Sequence, residues 1–511
     1  MRSVLKKITF NVYCVTISII VFICIFCTKM RFANSNLCEN FFSPLILLLF
    51  GMVFLCGISY ILNFFEMKRA KKIMIIFTVG LFCIQAYCVY NYYFFTDWDV
   101  SELISFSDLL SHNQDISGYT WYFSRYPNNL FLAFVFSGIR VLAHNIGLHA
   151  HEYFAILLVQ CLLNSLTGYL LFCIVDQLFE EKHVSFLGYA IYICLIGISP
   201  WVSIPYSDSM ALIFPSLIIY IYICNNKINS TIKWFIIGTC SAIGYKIKPQ
   251  VFIVFIAIIL IETLDFAEIH ELKESIINDA VAVIGVIVGL YIVKLGISTI
   301  HISIDRNMSF GIAHFFMMGM NPVDMGVWSG TDVDFSASFA TYAERNAANL
   351  YQAFERIKSM QLPGLIEQFI GKTLTNYYNG TFSWGGEGIF FSEVFNVKPT
   401  LGSVFLRSLY YTGEYAYIGK YYILWSNFEQ MIWLTIIFLN IFSWSAPKKK
   451  NICVIMLSIL GLTLFELLFE ARARYLFTYA PLYIILALYG FQYIISRLEL
   501  LKKPSDKSTC L

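Results

Sequence analysis

Long apolar runs separated by short polar islands dominate this chain. Runs near 8–27, 43–65, 73–95, 153–178, 184–200, 208–224, 233–247, 249–264, 280–298, 428–446, 451–469 and 475–496 approach or exceed the roughly 20 apolar residues that cross a bilayer. They predict about twelve transmembrane helices. A further apolar segment, 129–146, is short and carries Arg140 and His144. A charge at mid-bilayer costs roughly 3 kcal/mol or more, so this segment is expected at the interface or as a re-entrant helix. The polar stretch between about 263 and 279 reads as a surface helix.

Composition agrees with the pattern. The chain is 58% hydrophobic and 17% aromatic, with 13% charged residues and a mean hydropathy of +0.68. A soluble domain cannot hide that much apolar surface, and the expected surroundings are a lipid bilayer. The fold class expected is therefore an all-α polytopic membrane protein whose helices satisfy their own backbone polar groups. A net charge of +2 gives no reason to expect a nucleic-acid partner. Most of the fourteen cysteines lie inside apolar runs, where free Cys behaves as a small hydrophobe. Neither a disulfide framework nor a cysteine zinc site is indicated. The basic, apolar N-terminus reads as a retained anchor helix.

Charge position sets the orientation. Arg2, Lys6 and Lys7, then Lys68, Arg69, Lys71 and Lys72, then Lys448–Lys450, and finally the tail with Arg497, Lys502, Lys503 and Lys507, form four basic clusters. Cytoplasmic loops carry such clusters in excess. Threading from both ends then puts Asp97, Asp99, Asp208, Arg472 and Arg474 outside, with Lys246 and Lys248 near the outer face. Parity requires that one of the candidate spans fail to cross, and 129–146 is the one. The expected organisation is an N-terminal bundle over 1–300 with an outer loop at 96–128, a large outer loop region over 301–427, and C-terminal helices with a cytoplasmic tail over 428–511.

Against this frame, several polar residues stand out. NYYFFTDWDVSEL (91–103) sets Asp97 and Asp99 at a membrane rim, where a carboxylate gains proton affinity and suits a general base. The alternative is a helix start, because Asp99 and Glu102 have capping-box spacing. Tyr126-Pro127 in YTWYFSRYPNNLFLAF (119–134) ends an outer loop and opens the next helix. Asp208 in SPWVSIPYSD (199–208) is another outer acid, or an N-cap. Lys246 and Lys248 in GYKIKPQ (244–250) can bind a phosphate or snorkel to headgroups. FEARARYLFTYAP (469–481) sets Arg472 and Arg474 outside, against the usual bias, beside Glu470. Arginine's planar fork matches phosphate oxygens, and a structural ion pair is the alternative. In NYYNGTFSWGGEG (376–388), Tyr378 and Trp384 are candidates for stacking on sugar rings, or for the region's own small core.

Taken together, these features resemble the GT-C membrane glycosyltransferases. The features are an acid after an early helix, a Tyr-Pro opening the next, a second outer acid, a late outer region and E-x-R-x-R-Y near the last helix. The nearest branch resembles the bacterial relatives of protein O-mannosyltransferases and aminoarabinose transferases. The chain departs in having two extra N-terminal helices, and D-W-D where many members carry a contiguous acidic pair. The resemblance implies a donor sugar on a polyprenyl phosphate and a glycan or protein acceptor on the outer face. It implies Asp99 or Asp97 as base, Arg472, Arg474, Lys248 and Lys246 at the donor phosphate, and Asp208 with Tyr126 orienting the acceptor. A monophosphate donor needs no metal; a divalent metal held by Asp208 and the TDWD aspartates is the open alternative. The rival readings are a membrane polysaccharide polymerase or ligase and a lipid-linked sugar flippase or transporter. The latter predicts polar groups within the membrane and internal symmetry, and neither is evident in the sequence.

Overall fold

The computed structural model describes residues 2–28, 42–64, 69–92, 94–96, 98–224, 229–265, 269–384, 391–394, 400–410 and 419–502. Helices make up nearly all of it, because in lipid every backbone amide must find its partner within its own segment. Eight are long and apolar enough to cross a membrane: Leu5–Phe26, Pro44–Asn63, Ala70–Asn91, His149–Leu178, His270–Ser298, Tyr422–Ser445, Lys450–Leu468 and Ala480–Leu500. Shorter apolar helices run over Lys182–Gly197, Ser207–Ile223 and Pro249–Leu264. These cover every expected span except 233–247, which is helical as Ser230–Ile247 but less apolar. The chain is an all-α polytopic membrane protein, with one small departure. Phe94–Thr96 and Phe391–Val394 form a two-stranded antiparallel ribbon, pairing Phe94 with Val394.

Tyr422–Ser445 and Ala480–Leu500 hold the centre, with most of their apolar stretch buried, whereas Pro44–Asn63 and Ala70–Asn91 turn mostly outward. Close packing depends on small residues, as expected where lipid removes the hydrophobic drive between helices. Gly238 of Ser230–Ile247 and Gly285 of Ile269–Ser298 face each other's backbones. A methyl on Gly238 would meet Ala282 O at 1.9 Å, and one on Gly285 would meet Phe235 O at 2.2 Å. That contact seats Ser230–Ile247 against Ile269–Ser298.

One expectation changes. The polar stretch before residue 280 is not a separate surface helix where it is described. Residues 269–279 are the first turns of one continuous helix, Ile269–Ser298. No Gly or Pro interrupts them, and their polar groups bond neighbouring helix ends: Thr263 to Asp279 at 2.6 Å, Ser230 to Asn278 at 3.2 Å. The 301–427 region, expected as a large outer loop, is largely helical where it is described. It contains Gly311–Gly319, Gly330–Ala337, Tyr342–Tyr377 and Leu401–Tyr410. Tyr342–Tyr377 breaks at Gln361 (φ 52°), two residues before Pro363, because proline lacks an amide donor and disfavours helix before it. The 129–146 segment forms Leu130–Asn145. Its Arg140 is buried against Asp108 of the neighbouring Asp99–Ser111 helix at 2.7 Å, so the charge is answered within the protein.

Two helices define the ends of the bundle. Pro249–Leu264 begins beside Lys248 and ends near Glu262; Lys450–Leu468 runs from Lys450 to Glu466. Lys450 pairs with Glu262 at 2.9 Å and Lys6 with Asp265 at 3.0 Å at one end. The other end carries Lys248, Asp208, Arg474 and Asp99.

Candidate active site at the Asp99–Asp208 end

Asp99 is the first residue of the Asp99–Ser111 helix, and Trp98 is its N-cap. The capping role open to Asp99 is not the one it takes. Its Oδ1 accepts from the Tyr122 hydroxyl and its Oδ2 from the Tyr206 hydroxyl, both at 2.8 Å. Asn129 Nδ2 donates to Tyr122 Oη at 2.7 Å, so the Tyr122 hydroxyl must direct its own proton at Asp99. Burial first, then the nearby Asp99 charge, pushes both phenols up from their ordinary value, so both remain O–H donors. The carboxylate is half-buried and pinned from two sides.

Tyr206 links this carboxylate to the cations. The Arg474 guanidinium lies 4.5 Å from the Trp98 ring and 5.2 Å from that of Tyr206. These rings contact each other edge-on at 4.9 Å. Arg474 Nη1 is 3.8 Å from Asp208 Oδ2, beyond hydrogen-bond length, and Asp208 Oδ1 takes the Lys248 ammonium. Asp208 is 1% exposed and Lys248 2% exposed. Asp208 does not cap the Ser207–Ala211 helix, whose N-cap is Tyr206. Burial holds Lys248 below its usual value, and the Asp208 charge opposes that shift. Lys248 also faces the Tyr475 ring at 4.5 Å.

Arg472 and Glu470 close the cluster. Arg472 Nε donates to Glu470 Oε1 at 3.3 Å and Tyr475 Oη to Oε2 at 3.0 Å. The two arginines of FEARARY therefore differ: Arg472 faces an acid, and Arg474 lies on aromatic faces. This donor set does not suit a divalent ion between Asp99 and Asp208. Both Asp99 oxygens carry tyrosine hydroxyls, and Lys248 and Arg474 already stand where such an ion's charge would be.

A profile of the conserved hypothetical integral membrane protein family matches residues 3–495, which span every residue of this cluster. The chain belongs to that family. No curated protein and no solved structure matches it.

In this member of the family, the remaining candidate residues fall apart from the cluster or at its rim. Tyr126 packs on Tyr122 at 5.5 Å and on Phe310 at 5.4 Å, and Pro127 opens a helical turn leading into Leu130–Asn145, as expected. Burial, then the Asp99 charge, raises the Tyr126 phenol. Lys246 is half-buried against Tyr245 at 5.6 Å and has no contact with Asp208. Trp384 and Tyr378 are core residues. Trp384 is fully buried, donates Nε1–H to Tyr410 O at 2.8 Å and meets Trp201 edge-on, so it presents no open face to a sugar. Tyr378 is 5% exposed. Asp97 lies outside the described residues.

Several contributors were not singled out from the sequence. Tyr122, Tyr206 and Trp98 stand within the quoted motifs, and only the fold shows that they hold Asp99 and Arg474. Lys372 has no sequence signal. It is buried within Tyr342–Tyr377, donates to Gly319 O at 2.8 Å and Phe469 O at 2.5 Å, and burial lowers it to about 7. Glu466 is fully buried at the end of Lys450–Leu468. Neither of its oxygens accepts a hydrogen bond among the described residues, and Lys248 and Lys372 are the cations nearest in effect.

Proposed function

We propose that the protein is an inverting glycosyltransferase of GT-C-like architecture with about twelve spans. It moves a sugar from a polyprenyl-phosphate donor to an acceptor hydroxyl on the outer face of the cell membrane. The observation that carries this reading is the joining of a two-tyrosine carboxylate, Asp99, to a cationic group, Arg474 and Lys248, through Trp98 and Tyr206. A reaction that removes a proton from one partner and expels a phosphate from the other needs both within one sugar's reach.

In this mechanism Asp99 takes the proton of the acceptor hydroxyl. The acceptor oxygen attacks the anomeric carbon as the bond to phosphate breaks on the opposite face. The electron pair leaves with the polyprenyl phosphate, and Arg474 and Lys248 meet the charge that develops there. Asp208 positions Lys248, and Arg472 positions Glu470 and the Tyr475 hydroxyl. Glycan and protein hydroxyls are the acceptor classes this chemistry serves, in cell-surface glycan or glycopolymer modification.

The test is transfer of radiolabelled sugar from a panel of polyprenyl-phosphate sugars, in membranes with and without the protein. Label should enter an acceptor only where the protein is present. Absence of protein-dependent transfer from every donor would overturn the reading. Sidedness has its own test. A cysteine at Ala340 should react with an impermeant thiol reagent from outside, in a background without native Cys, and one at Lys449 should not.

One observation favours a second reading, a lipid-linked sugar flippase. Glu429 and Glu466 are fully buried within apolar helices, and buried ionisable residues often mark a transport path. Sugar that crosses the bilayer but stays on its lipid would support it.

A further inference from the structure

A separate cluster lies where three helix ends meet, away from Asp208 and the cations. His112 follows the Asp99–Ser111 helix, and His144 lies in the last turn of Leu130–Asn145. Glu152 opens Glu152–Leu178. One ligand atom from each lies within 4.8 Å of the others. We propose that His112, His144 and Glu152, with His149 as a fourth donor, form a zinc-type divalent metal site that clasps these three helix ends.

Local structure builds the cluster. Gly147, at φ 84°, ends its helix in a tight turn: Gly147 N–H bonds His144 O at 3.0 Å, and Leu148 N–H bonds Ala143 O at 2.9 Å. That turn brings His149 back over His144, with ring centroids 4.1 Å apart. Asn113, at φ 55°, turns the chain similarly beyond His112.

Proton counting points to a cation. His144 Nδ1 is 3.0 Å from Glu152 Oε1 and also 3.0 Å from His149 Nδ1. A ring nitrogen has one in-plane lobe. Without an ion, one proton there would have to be divided between the carboxylate and the second imidazole, a weaker three-centre bond. An ion bound by all three satisfies both contacts. His112 shows a second, independent sign. Its Nδ1 contacts Asp108 O at 2.9 Å, and a proton there leaves Nε2 with a lone pair. That Nε2 faces Glu152 Oε2 at 3.6 Å. This is the arrangement by which a backbone carbonyl fixes the tautomer of a metal-ligating histidine.

The spacing fits zinc. Ligand atoms around a tetrahedral Zn²⁺, with bonds of about 2.0–2.1 Å, stand about 3.3–3.4 Å apart. His144 Nδ1 stands 3.0 Å from both Glu152 Oε1 and His149 Nδ1, His112 Nε2 stands 3.6 Å from the other Glu152 oxygen, and the three principal ligand atoms lie within 4.8 Å of one another, so a small closure of the cluster brings them to that spacing. The charge also fits. Arg140 Nη1 stands 4.0 Å from Glu152 Oε2 but bonds Asp108 Oδ1 at 2.7 Å, so the two acids outnumber the one arginine. Glu152 is buried while the imidazoles are exposed, which gives an ion a route in.

The test uses the full-length protein in detergent, purified without an oligohistidine tag and stripped of metal. Zinc is titrated in competition with a chromophoric chelator, and thermal unfolding is followed with and without zinc. The wild type should bind one equivalent and unfold at a higher temperature with zinc. His144→Ala and Glu152→Gln should each weaken binding by about 10- to 100-fold or more and lose the thermal shift. X-ray absorption should show a first shell of nitrogen and oxygen near 2.0 Å, without sulfur near 2.3 Å. If Glu152→Gln does not fold, the peripheral His149→Ala should still weaken binding. Equal zinc affinity in wild type and His144→Ala, a sulfur shell, or no zinc binding at all would overturn the proposal. Stabilisation on acidification alone, without zinc binding, would assign the cluster to histidine protonation instead.

Discussion

The two ends of the Pro249–Leu264 and Lys450–Leu468 helices carry charge in different ways. At one end each of two acids meets a lysine, and one of them, Asp265, is itself buried. Lys450 meets Glu262 at 2.9 Å with both side chains partly exposed, and Lys6 meets Asp265 at 3.0 Å. At the other end Asp208 is buried with Lys248 on one oxygen, and Arg474 stands 3.8 Å from the second, seated on Trp98 and Tyr206. The first arrangement closes a bundle. The second holds a cation by its flat faces, next to a carboxylate that two tyrosines aim. The contrast separates direct acid–lysine pairs from a cation seated on aromatic faces beside a carboxylate, the arrangement on which the proposed function rests.

Removing one lysine from each end should expose the largest difference. Lys248→Met strands a buried carboxylate, and breaking such a pair costs about 3–5 kcal/mol. Lys450→Met opens a rim pair worth about 1 kcal/mol or less, and Glu262 keeps the Tyr222 hydroxyl at 2.5 Å. Thermal unfolding of both variants compares them. The double variant Asp208→Asn with Lys248→Met should regain much of the loss. Equal destabilisation at the two ends would erase the distinction.

Within the site, the two arginines sharpen the comparison. On the proposed mechanism Arg474→Ala lowers kcat by about 100- to 1,000-fold, the scale of one lost donor to a developing charge. Arg474→Lys should fall between it and the wild type, because lysine keeps the charge and loses the planar fork. Arg472→Ala should cost less, since Arg472 acts through Glu470. Equal losses at both positions, measured as kcat and KM with a donor found active, would contradict the assignment.

The smallest effect lies away from both ends. His314 is buried in Gly311–Gly319 with Nδ1 2.7 Å from Ser336 Oγ, and burial lowers it from 6.5 to about 4. The folded ring takes up a proton less readily than the unfolded one, so acid favours unfolding. Stability should fall as pH drops from 6.5 to about 4, with a slope of up to about 1.4 kcal/mol per pH unit. Unfolding temperatures of wild type and His314→Gln across this range check it; the variant should show the shallower slope.

How much of this was legible in the sequence depends on what each residue type can signal. The apolar runs marked the helices, eight of them long and apolar enough to cross a membrane among the described residues, because only long helices or closed barrels satisfy backbone groups in lipid. Four basic clusters and parity were enough to assign Asp99, Asp208, Lys248 and Arg474 to one face, and the structure sets them at one end of the bundle. Which arginine pairs with Glu470 was not legible, because the two are equivalent in a two-residue repeat until the chain turns. Asp99 and Glu102 had capping spacing, but tertiary hydroxyls from Tyr122 and Tyr206 take both Asp99 oxygens. Trp384 and Tyr378 misled for a general reason: the ring that stacks on a sugar also packs a core. Lys372 left no trace, since a lone lysine in a polar helix reads as solvated. The glycine contact of Gly238 with Gly285 depends on two helices meeting, which spacing within one helix does not show.

The central claim is that Asp99 is the base and that the Glu262 end is structural. One transfer assay, run on purified protein in lipid vesicles with an active donor, compares Asp99→Asn and Glu262→Gln. The account predicts that Asp99→Asn lowers turnover by about 100-fold or more while remaining folded, the usual scale for a general base, and that Glu262→Gln stays close to wild type. Near-normal turnover in Asp99→Asn, or an equal loss in Glu262→Gln, would contradict it.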